Sequence, residues 1–258
     1  MPKEDQPLPP SDFETHWDDV TSADVDELER VLDASKGERE LQKFFERHPN
    51  LLVQHLGGGH GRWVVPQKRL GAEFVPDFVV GELSSIGYHW ELVELESPRN
   101  RMFLKNGDYS AATNHGVGQV KRWRAWLTAN ARYARAARDD NGLGLTGIRS
   151  NLDGVVLIGR RGVGGEEAGL RADDLENSRI AIHSYDWLVE RARARIKALR
   201  GPGRRTVVVP TKRGLTMRQV YLKADRTIRE LKPEERPPPR KLGSAAEASS
   251  TTRRHLRK

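Results

Sequence analysis

Three acidic side chains interrupt two extended apolar segments near the middle of the chain. Asp77 lies in the segment EFVPDFVVG, and Glu94 and Glu96 lie near the end of the segment YHWELVELESPR. A carboxylate in a buried strand is costly unless another group compensates its charge. Side chains two positions apart share a strand face, so Glu94 and Glu96 project together, and a hairpin brings Asp77 within reach of Glu94. The pattern therefore predicts a divalent metal ion held by carboxylates.

The donor types narrow the chemistry of such a site. The chain contains no cysteine, so any metal must be held by oxygen or imidazole ligands. Carboxylate oxygens suit Mg²⁺ or Mn²⁺, whose ligand shells are commonly completed by water and substrate phosphate. This combination is typical of phosphodiester hydrolysis, in which the metal polarises the phosphate and activates a water molecule. The alternative for Asp77 alone is a simple acid at a turn or strand end.

Hydrophobic periodicity predicts the elements that position the hairpin. The fold class it favours is α/β, a mixed central sheet with helices packed on both faces, because short apolar strands alternate with helical segments. Helices are predicted at about 37–47, 111–137 and 186–199, and strands at about 63–68, 73–81, 88–96, 152–159 and 180–185.

Composition divides the chain into three regions. Residues 1–34 form an acidic segment predicted to be flexible, with a candidate helix starting at Ser22. Residues 35–200 form the core domain. Residues 201–258 form a basic extension, with a candidate strand at 206–210, a candidate helix at 216–231, and a disordered tail from about 232.

Charge and hydropathy restrict the partners. The chain of 258 residues carries a net charge of +8, concentrated towards its C-terminal end, which favours a polyanion partner such as DNA. It has neither a long apolar run nor an export signal, so we expect a soluble, cytoplasmic protein without a membrane partner. One helix face is either a solvated surface or, the favoured interpretation, a contact for nucleic-acid phosphates; it contains Arg191, Arg193, Arg195, Lys197 and Arg200.

The acidic hairpin resembles a known nuclease signature. Pro76-Asp77 followed by Glu94-Leu95-Glu96 is similar to the PD-(D/E)xK motif. The segment from Glu40 to Leu52 resembles the first helix of the Shedu anti-phage nuclease family, and the segment from Val93 to Pro98 resembles that family's active-site strand. The segment ending in Gln119-Val-Lys-Arg-Trp123 resembles the helix that follows. The resemblance covers roughly residues 35–200.

This resemblance implies a fold, an activity and a set of site residues. The fold would be restriction-endonuclease-like, and the activity would be metal-dependent hydrolysis of DNA in bacterial defence against phage, often by a homo-oligomer. The metal, Mg²⁺ or Mn²⁺, would be held chiefly by Asp77 and Glu94, with Glu40 reaching the site from the first helix. Gln119 would contact substrate or water.

One position departs from the family pattern. Glu96 stands where the motif has a lysine, which normally orients the attacking water and stabilises developing charge. Glu96 would then act as a further metal ligand or as a base, with a cation supplied by Arg99, Arg101 or Lys105. The alternative is a catalytically inactive protein of the nuclease fold that binds nucleic acid or scaffolds protein partners. A lone histidine, His115, is left outside the catalytic set.

Overall fold

The computed structural model describes residues 9–57, 61–162 and 168–200, together with the backbone of three strands between residues 203 and 230. The chain divides into two compact units, Met1–Leu199 and Arg200–Lys258. No helix in the described ranges is long and apolar enough to span a bilayer. The predicted disorder from about residue 232 lies outside the described residues.

A five-stranded mixed sheet forms the centre of the first unit. Its strands are β1 (Gly61–Pro66), β2 (Phe78–Ser84), β3 (Gly87–Leu95), β4 (Asp153–Leu157) and β5 (Ile180–His183), and they lie in that order across the sheet. The pairs β1–β2 and β2–β3 are antiparallel, whereas β3–β4 and β4–β5 are parallel. The central strand β3 therefore has an antiparallel neighbour on one side and a parallel neighbour on the other.

Three helices cover one face of this sheet. They are α1 (Ser22–Ala34), α2 (Glu38–Arg47) and α6 (Tyr185–Arg200). A capping box between Thr21 and Asp24 begins α1, so the N-cap is Thr21 and not the predicted Ser22. The helices bury apolar side chains against strand residues such as Phe78 and Val93 in one continuous cluster. The first unit thus includes α1, although the sequence placed it in a flexible N-terminal segment.

The other face of the sheet is covered mainly by α3 (Ala111–Ala129) and the short α4 (Ala131–Arg135). Helix α3 buries Val117, Val120, Trp123 and Leu127 against the strands, at the 3–4-residue spacing of one helix face. A further short helix, α5 (Ala168–Asp173), precedes β5. Helices on both faces of a mixed sheet confirm the fold class predicted from the sequence.

The second unit contains an antiparallel three-stranded sheet, formed by β6 (Gly203–Thr211), β7 (Gly214–Leu222) and β8 (Ile228–Glu230). The helix predicted at 216–231 is therefore wrong. The segment contains Thr216, Val220 and Tyr221, which favour strands, and the β-branched run at Thr206–Val209 gives it a hairpin partner. Pairing with that partner overrides the helical spacing of its apolar residues.

Gly116 allows α3 to lie close to the sheet. A Cβ atom at this position would come within 2.8 Å of Val156 Cγ1 and 3.5 Å of Glu96 Cγ. The first distance is too short for real atoms, so any larger residue must displace the helix or the strand. By contrast, a Cβ atom at Gly118, two residues further along, would meet only the flexible end of Arg122 at 3.4 Å.

We expect Gly116→Ala and Gly118→Ala to have opposite effects on stability. Gly118→Ala should raise the free energy of unfolding by about 0.5–1 kcal/mol, because alanine is the better helix former. Gly116→Ala should lower it by about 1–3 kcal/mol, because the added methyl overpacks the contact with β4. Urea denaturation of both variants measures the difference, and equal stabilisation by the two changes would contradict this packing.

Candidate active site

The register of the β2–β3 hairpin brings two of the predicted acids together. Phe78 pairs with Val93, so Asp77 lies opposite Glu94 one step further along the two chains. The carboxylate of Asp77 accepts a 2.8 Å hydrogen bond from the backbone N–H of Leu95. Glu96 follows β3 directly, and its own N–H donates to the carbonyl of Leu157 on β4 at 2.8 Å. Backbone bonds thus fix all three acids at one end of the sheet.

These acids form a strongly interacting cluster. Burial is the main cause that raises the pKa of Glu94, and the neighbouring charges of Asp77 and Glu96 raise it further. Burial also raises the pKa of Asp77, although the hydrogen bonds from Leu95 and with Glu94 partly oppose this effect. The pKa of Glu96 is raised by burial as well, with His115 acting in the opposite direction. The site concentrates more negative charge than the surrounding protein can stabilise.

Helix α2 approaches the cluster through residues other than the predicted one. Gln42 is buried, and its side-chain amide donates a 3.4 Å hydrogen bond to the backbone carbonyl of Asp77. Glu38, in the first turn of α2, contributes a charge that raises the pKa of Asp77, Glu94 and Glu96. Glu40 is exposed, and its predicted role as a metal ligand stays a prediction.

Helix α3 supplies a histidine that the sequence analysis left out. His115 Nδ1 lies 2.8 Å from Glu96 Oε1. One potential ligand atom from each of His115, Glu94 and Glu96 lies within 4.8 Å of the others, a spacing that suits a shared metal ion. The His115 side chain is 57% exposed, so this edge of the cluster is open to solvent.

Gln119 lies one helical turn beyond His115 on α3. Its side-chain oxygen accepts a 2.8 Å hydrogen bond from the guanidinium group of Arg122. Because residues four apart share a helix face, Gln119 lies on the His115 side of α3. Its predicted contact with substrate or water stays a prediction.

Two further residues define the surroundings of the cluster. Tyr185, fully buried at the start of α6, donates a 2.8 Å hydrogen bond to the backbone carbonyl of Glu96. Arg99, one of the cations expected to replace the missing lysine, donates instead to the backbone carbonyls of Asp33 and Ser35. Its guanidinium group is therefore held by the end of α1.

The sequence contained a signal for His115 that helix periodicity could have revealed. His115 and Gln119 are separated by four residues, so a helix that places Gln119 beside the site also places His115 on the same face. Glu38 and Tyr185 carried no comparable signal, because their proximity depends on how α2 and α6 pack against the sheet.

The side chains present fit a hard divalent cation. The donor set contains three carboxylates and one imidazole, all at the ends of β2 and β3 or on the adjacent α3. A divalent cation would compensate the repulsion between crowded carboxylates whose pKa values are raised. Glu94, Glu96 and His115 offer ligand atoms at the mutual spacing of a metal site, and Asp77 adjoins them through its hydrogen bond with Glu94.

The basic face of α6 is largely engaged within the first unit. Arg193 forms an ion pair with Glu29, and Arg195 lies over the ring of Trp17 and donates to the backbone carbonyl of Leu56 at 3.0 Å. Arg191 lies over the ring of Trp187. These contacts reduce the number of cations that this face can offer to phosphates.

The fold and the cluster together define a mixed α/β protein with an acidic, metal-compatible centre at the end of two adjacent strands. Residues 35–189 match the family described as "Shedu protein SduA, C-terminal". The match covers more than half of the chain, which therefore belongs to this Shedu family. Search of the curated proteins gave no match.

A solved structure described as restriction endonuclease FokI bound to DNA is similar to this chain at 13% sequence identity, with a TM-score of 0.38. The similarity covers 68% of this chain and 27% of the FokI chain. It spans only a minor part of that protein.

We expect Glu94→Gln to stabilise the metal-free protein at alkaline pH. The raised pKa of Glu94, about 10, means that the folded state holds a proton that the unfolded state has lost. The free energy of unfolding therefore falls as pH rises from about 5 through that value. Glutamine keeps the shape and removes the charge, so the melting temperature at pH 8 in EDTA should rise by roughly 3–10 °C, equivalent to about 1–3 kcal/mol.

Glu176→Gln, at an exposed position, is the matched control and should leave the melting temperature unchanged. The gain for Glu94→Gln should shrink below about pH 4, where the Glu94 carboxyl group of the parent is largely protonated in both the folded and the unfolded state. A loss of stability at pH 8 would show that the Glu94 charge is compensated in the metal-free protein.

Proposed function

We propose that this protein is a divalent-metal-dependent deoxyribonuclease that hydrolyses DNA phosphodiester bonds in bacterial anti-phage defence. The observation that carries the proposal is the convergence of Asp77, Glu94 and Glu96 at the adjoining ends of β2 and β3, with raised pKa values caused by burial and mutual repulsion. Membership of the Shedu family supports the same reading. The metal would be Mg²⁺ or Mn²⁺, because carboxylate oxygens dominate the donor set.

Asp77 and Glu94 would hold the metal ion. Asp77 is oriented by the backbone N–H of Leu95, which leaves its second oxygen available to the centre of the cluster. When bound, a divalent cation supplies charge neutralisation at the scissile phosphate and lowers the pKa of a water molecule. It would also relieve the repulsion that makes Glu94 retain its proton in the metal-free protein.

Glu96 and His115 would handle the proton of the attacking water. Their 2.8 Å contact lets Glu96 orient the imidazole ring, while the open side of His115 faces solvent. A histidine held by a carboxylate is a common general base, and in its protonated form it supplies part of the positive charge that the missing lysine would provide. Gln119, one turn away, would position the water or a phosphate oxygen.

We expect Asp77→Ala and Glu94→Ala to reduce DNA cleavage by at least about 100-fold in Mg²⁺ or Mn²⁺, because each change removes a proposed metal ligand. The measurement is the rate of cutting of linear and supercoiled DNA by equal amounts of folded protein. Glu176→Ala, far in sequence from the cluster and exposed, is the control and should cut as the parent does. Undiminished cutting by both site variants would rule out this active site.

We expect His115→Ala to lower the cleavage rate by about 10²–10⁴-fold at saturating metal, the usual contribution of a general base. His115→Gln should lose a similar factor, because glutamine preserves a polar contact with Glu96 but accepts no proton. The cleavage rate of the parent should fall on the acidic side of its pH profile, where a general base is protonated, and the variants should lack this fall. The exposed His16→Ala is the control, and a rate unchanged in both His115 variants would exclude this base.

A second candidate function is a catalytically inactive relative that binds nucleic acid. Two observations favour it: Glu96 replaces the lysine of the family motif, and the nearby Arg99 is held by backbone carbonyls of α1 and the residue after it. Binding of DNA measured by fluorescence anisotropy, with no cutting in either metal, would support this candidate over the nuclease.

A further inference from the structure

A second group of potential metal ligands lies on the opposite face of β3 from Glu94. His89 and Glu91 project from β3 to that face, and Asp153 is the residue of β4 paired with Glu91. One ligand atom from each of the three lies within 4.8 Å of the other two. No step of the proposed nuclease chemistry uses these residues.

Each carboxylate in this group has one oxygen already bound and the other directed at the imidazole ring. Glu91 Oε2 lies 2.6 Å from His55 Nε2, and Glu91 Oε1 lies 3.4 Å from His89 Nε2. Asp153 follows the same arrangement, with Oδ1 at 2.6 Å from Arg179 Nε and Oδ2 at 3.2 Å from His89 Nε2. His89 Nε2, Glu91 Oε1 and Asp153 Oδ2, the inner atoms of this group, therefore lie close to one another.

The inner distances are long for charge-assisted hydrogen bonds, and they match the separation of two ligands of one metal ion. A charge-assisted bond between nitrogen and a carboxylate oxygen is normally about 2.7–2.9 Å long, as the outer contacts of His55 and Arg179 nearly are. Two ligands that each lie about 2.0–2.1 Å from a tetrahedral Zn²⁺ are separated by about 3.3 Å. The separations of 3.2 and 3.4 Å around His89 Nε2 lie on either side of that value.

We propose that His89 Nε2, Glu91 Oε1 and Asp153 Oδ2 form a second divalent-cation site of the Zn²⁺ type, distinct from the carboxylate cluster at Asp77, Glu94 and Glu96. Imidazole is a poor ligand for Mg²⁺ and a good one for Zn²⁺, which also accepts carboxylate oxygens. The site joins β3 to β4 across their parallel pairing.

The surrounding groups act as an outer layer that orients the ligands. His55 and Arg179 hold the outer oxygens, a role that second-layer partners commonly fill at zinc sites. Although burial alone would raise them, the pKa values of Glu91 and Asp153 are held down at about 2 by these partners and by His89. Both carboxylates are therefore ionised at neutral pH, the state in which they bind a cation. The same contacts with Asp153 and Glu91 raise the pKa of His89 to about 10, so binding of Zn²⁺ must displace the proton on His89 Nε2.

The site has room for a fourth ligand from solvent. The His89 side chain is 36% exposed, whereas Glu91 is buried. His89 and Arg179 also line a cavity of about 150 Å³, together with Arg149 and Asn151. Three protein ligands with an open position are typical of zinc sites that accept water or a small anion.

The test uses the full chain without an affinity tag, carrying Asp77→Asn and Glu94→Gln so that the carboxylate cluster does not compete for metal. Zn²⁺ is titrated in competition with a chelating dye, and Co²⁺ serves as a spectroscopic probe of the ligand shell. We expect one Zn²⁺ per chain and a Co²⁺ visible absorption band typical of four or five ligands. His89→Ala and Asp153→Asn, added separately, should each weaken Zn²⁺ binding by at least tenfold.

Matched controls separate this site from non-specific binding. His16→Ala and Asp26→Asn change the same residue types at exposed positions and should leave Zn²⁺ affinity unchanged. Circular dichroism checks that each variant folds. If His89→Ala does not fold, the outcome is decided by Asp153→Asn, which keeps the shape of the side chain. The proposal is overturned if the parent binds no Zn²⁺, or if affinity is the same in the folded site variants. Neither outcome depends on whether the protein cuts DNA.

Discussion

The hydrogen bond between the backbone N–H of Leu95 and the carboxylate of Asp77 is the constraint on which the carboxylate cluster depends. It links the residue before β2 to the last residue of β3, and it sets the direction of Asp77 towards Glu94. Because it is a bond to the backbone, it survives changes in neighbouring side chains. The packing of α2 through Gln42 and of α6 through Tyr185 then closes the space around the strand ends.

The central strand β3 projects ionisable side chains onto both faces of the sheet. Its even-numbered positions place Glu94 on the side covered by α3, and its odd-numbered positions place His89 and Glu91 on the other side. A strand that carries this many ionisable groups in a buried position needs compensating charge on both faces. On one face histidine and arginine partners supply it, whereas on the other face His115 opposes three acids.

Strand alternation was sufficient to predict the pairing of Asp77 with Glu94, because that pairing depends on one hairpin. The mixed sheet was predicted from short apolar strands that alternate with helical segments. Strand alternation was insufficient for Glu38 and Tyr185, whose positions depend on the packing of α2 and α6 against the sheet, whereas helix periodicity on α3 could have revealed His115. The close approach at Gly116 illustrates the reason, since a missing side chain leaves no hydrophobic signal. The helix predicted at 216–231 failed for a related reason, because a strand partner earlier in the chain decided its conformation.

The segment before the family match, which contains α1, limits where the chain can be cut without loss of part of its core. Helix α1 ends one residue before the matched region, yet it buries Val25, Leu28 and Leu32 in the same core as α2. Burial of each such side chain stabilises the fold by about 1.5–3 kcal/mol. A fragment that starts at residue 35 would expose apolar side chains beside α2, and it would lack the carbonyl of Asp33 that accepts a hydrogen bond from Arg99. The cooperative folding unit is therefore larger than the stretch that sequence comparison delimits.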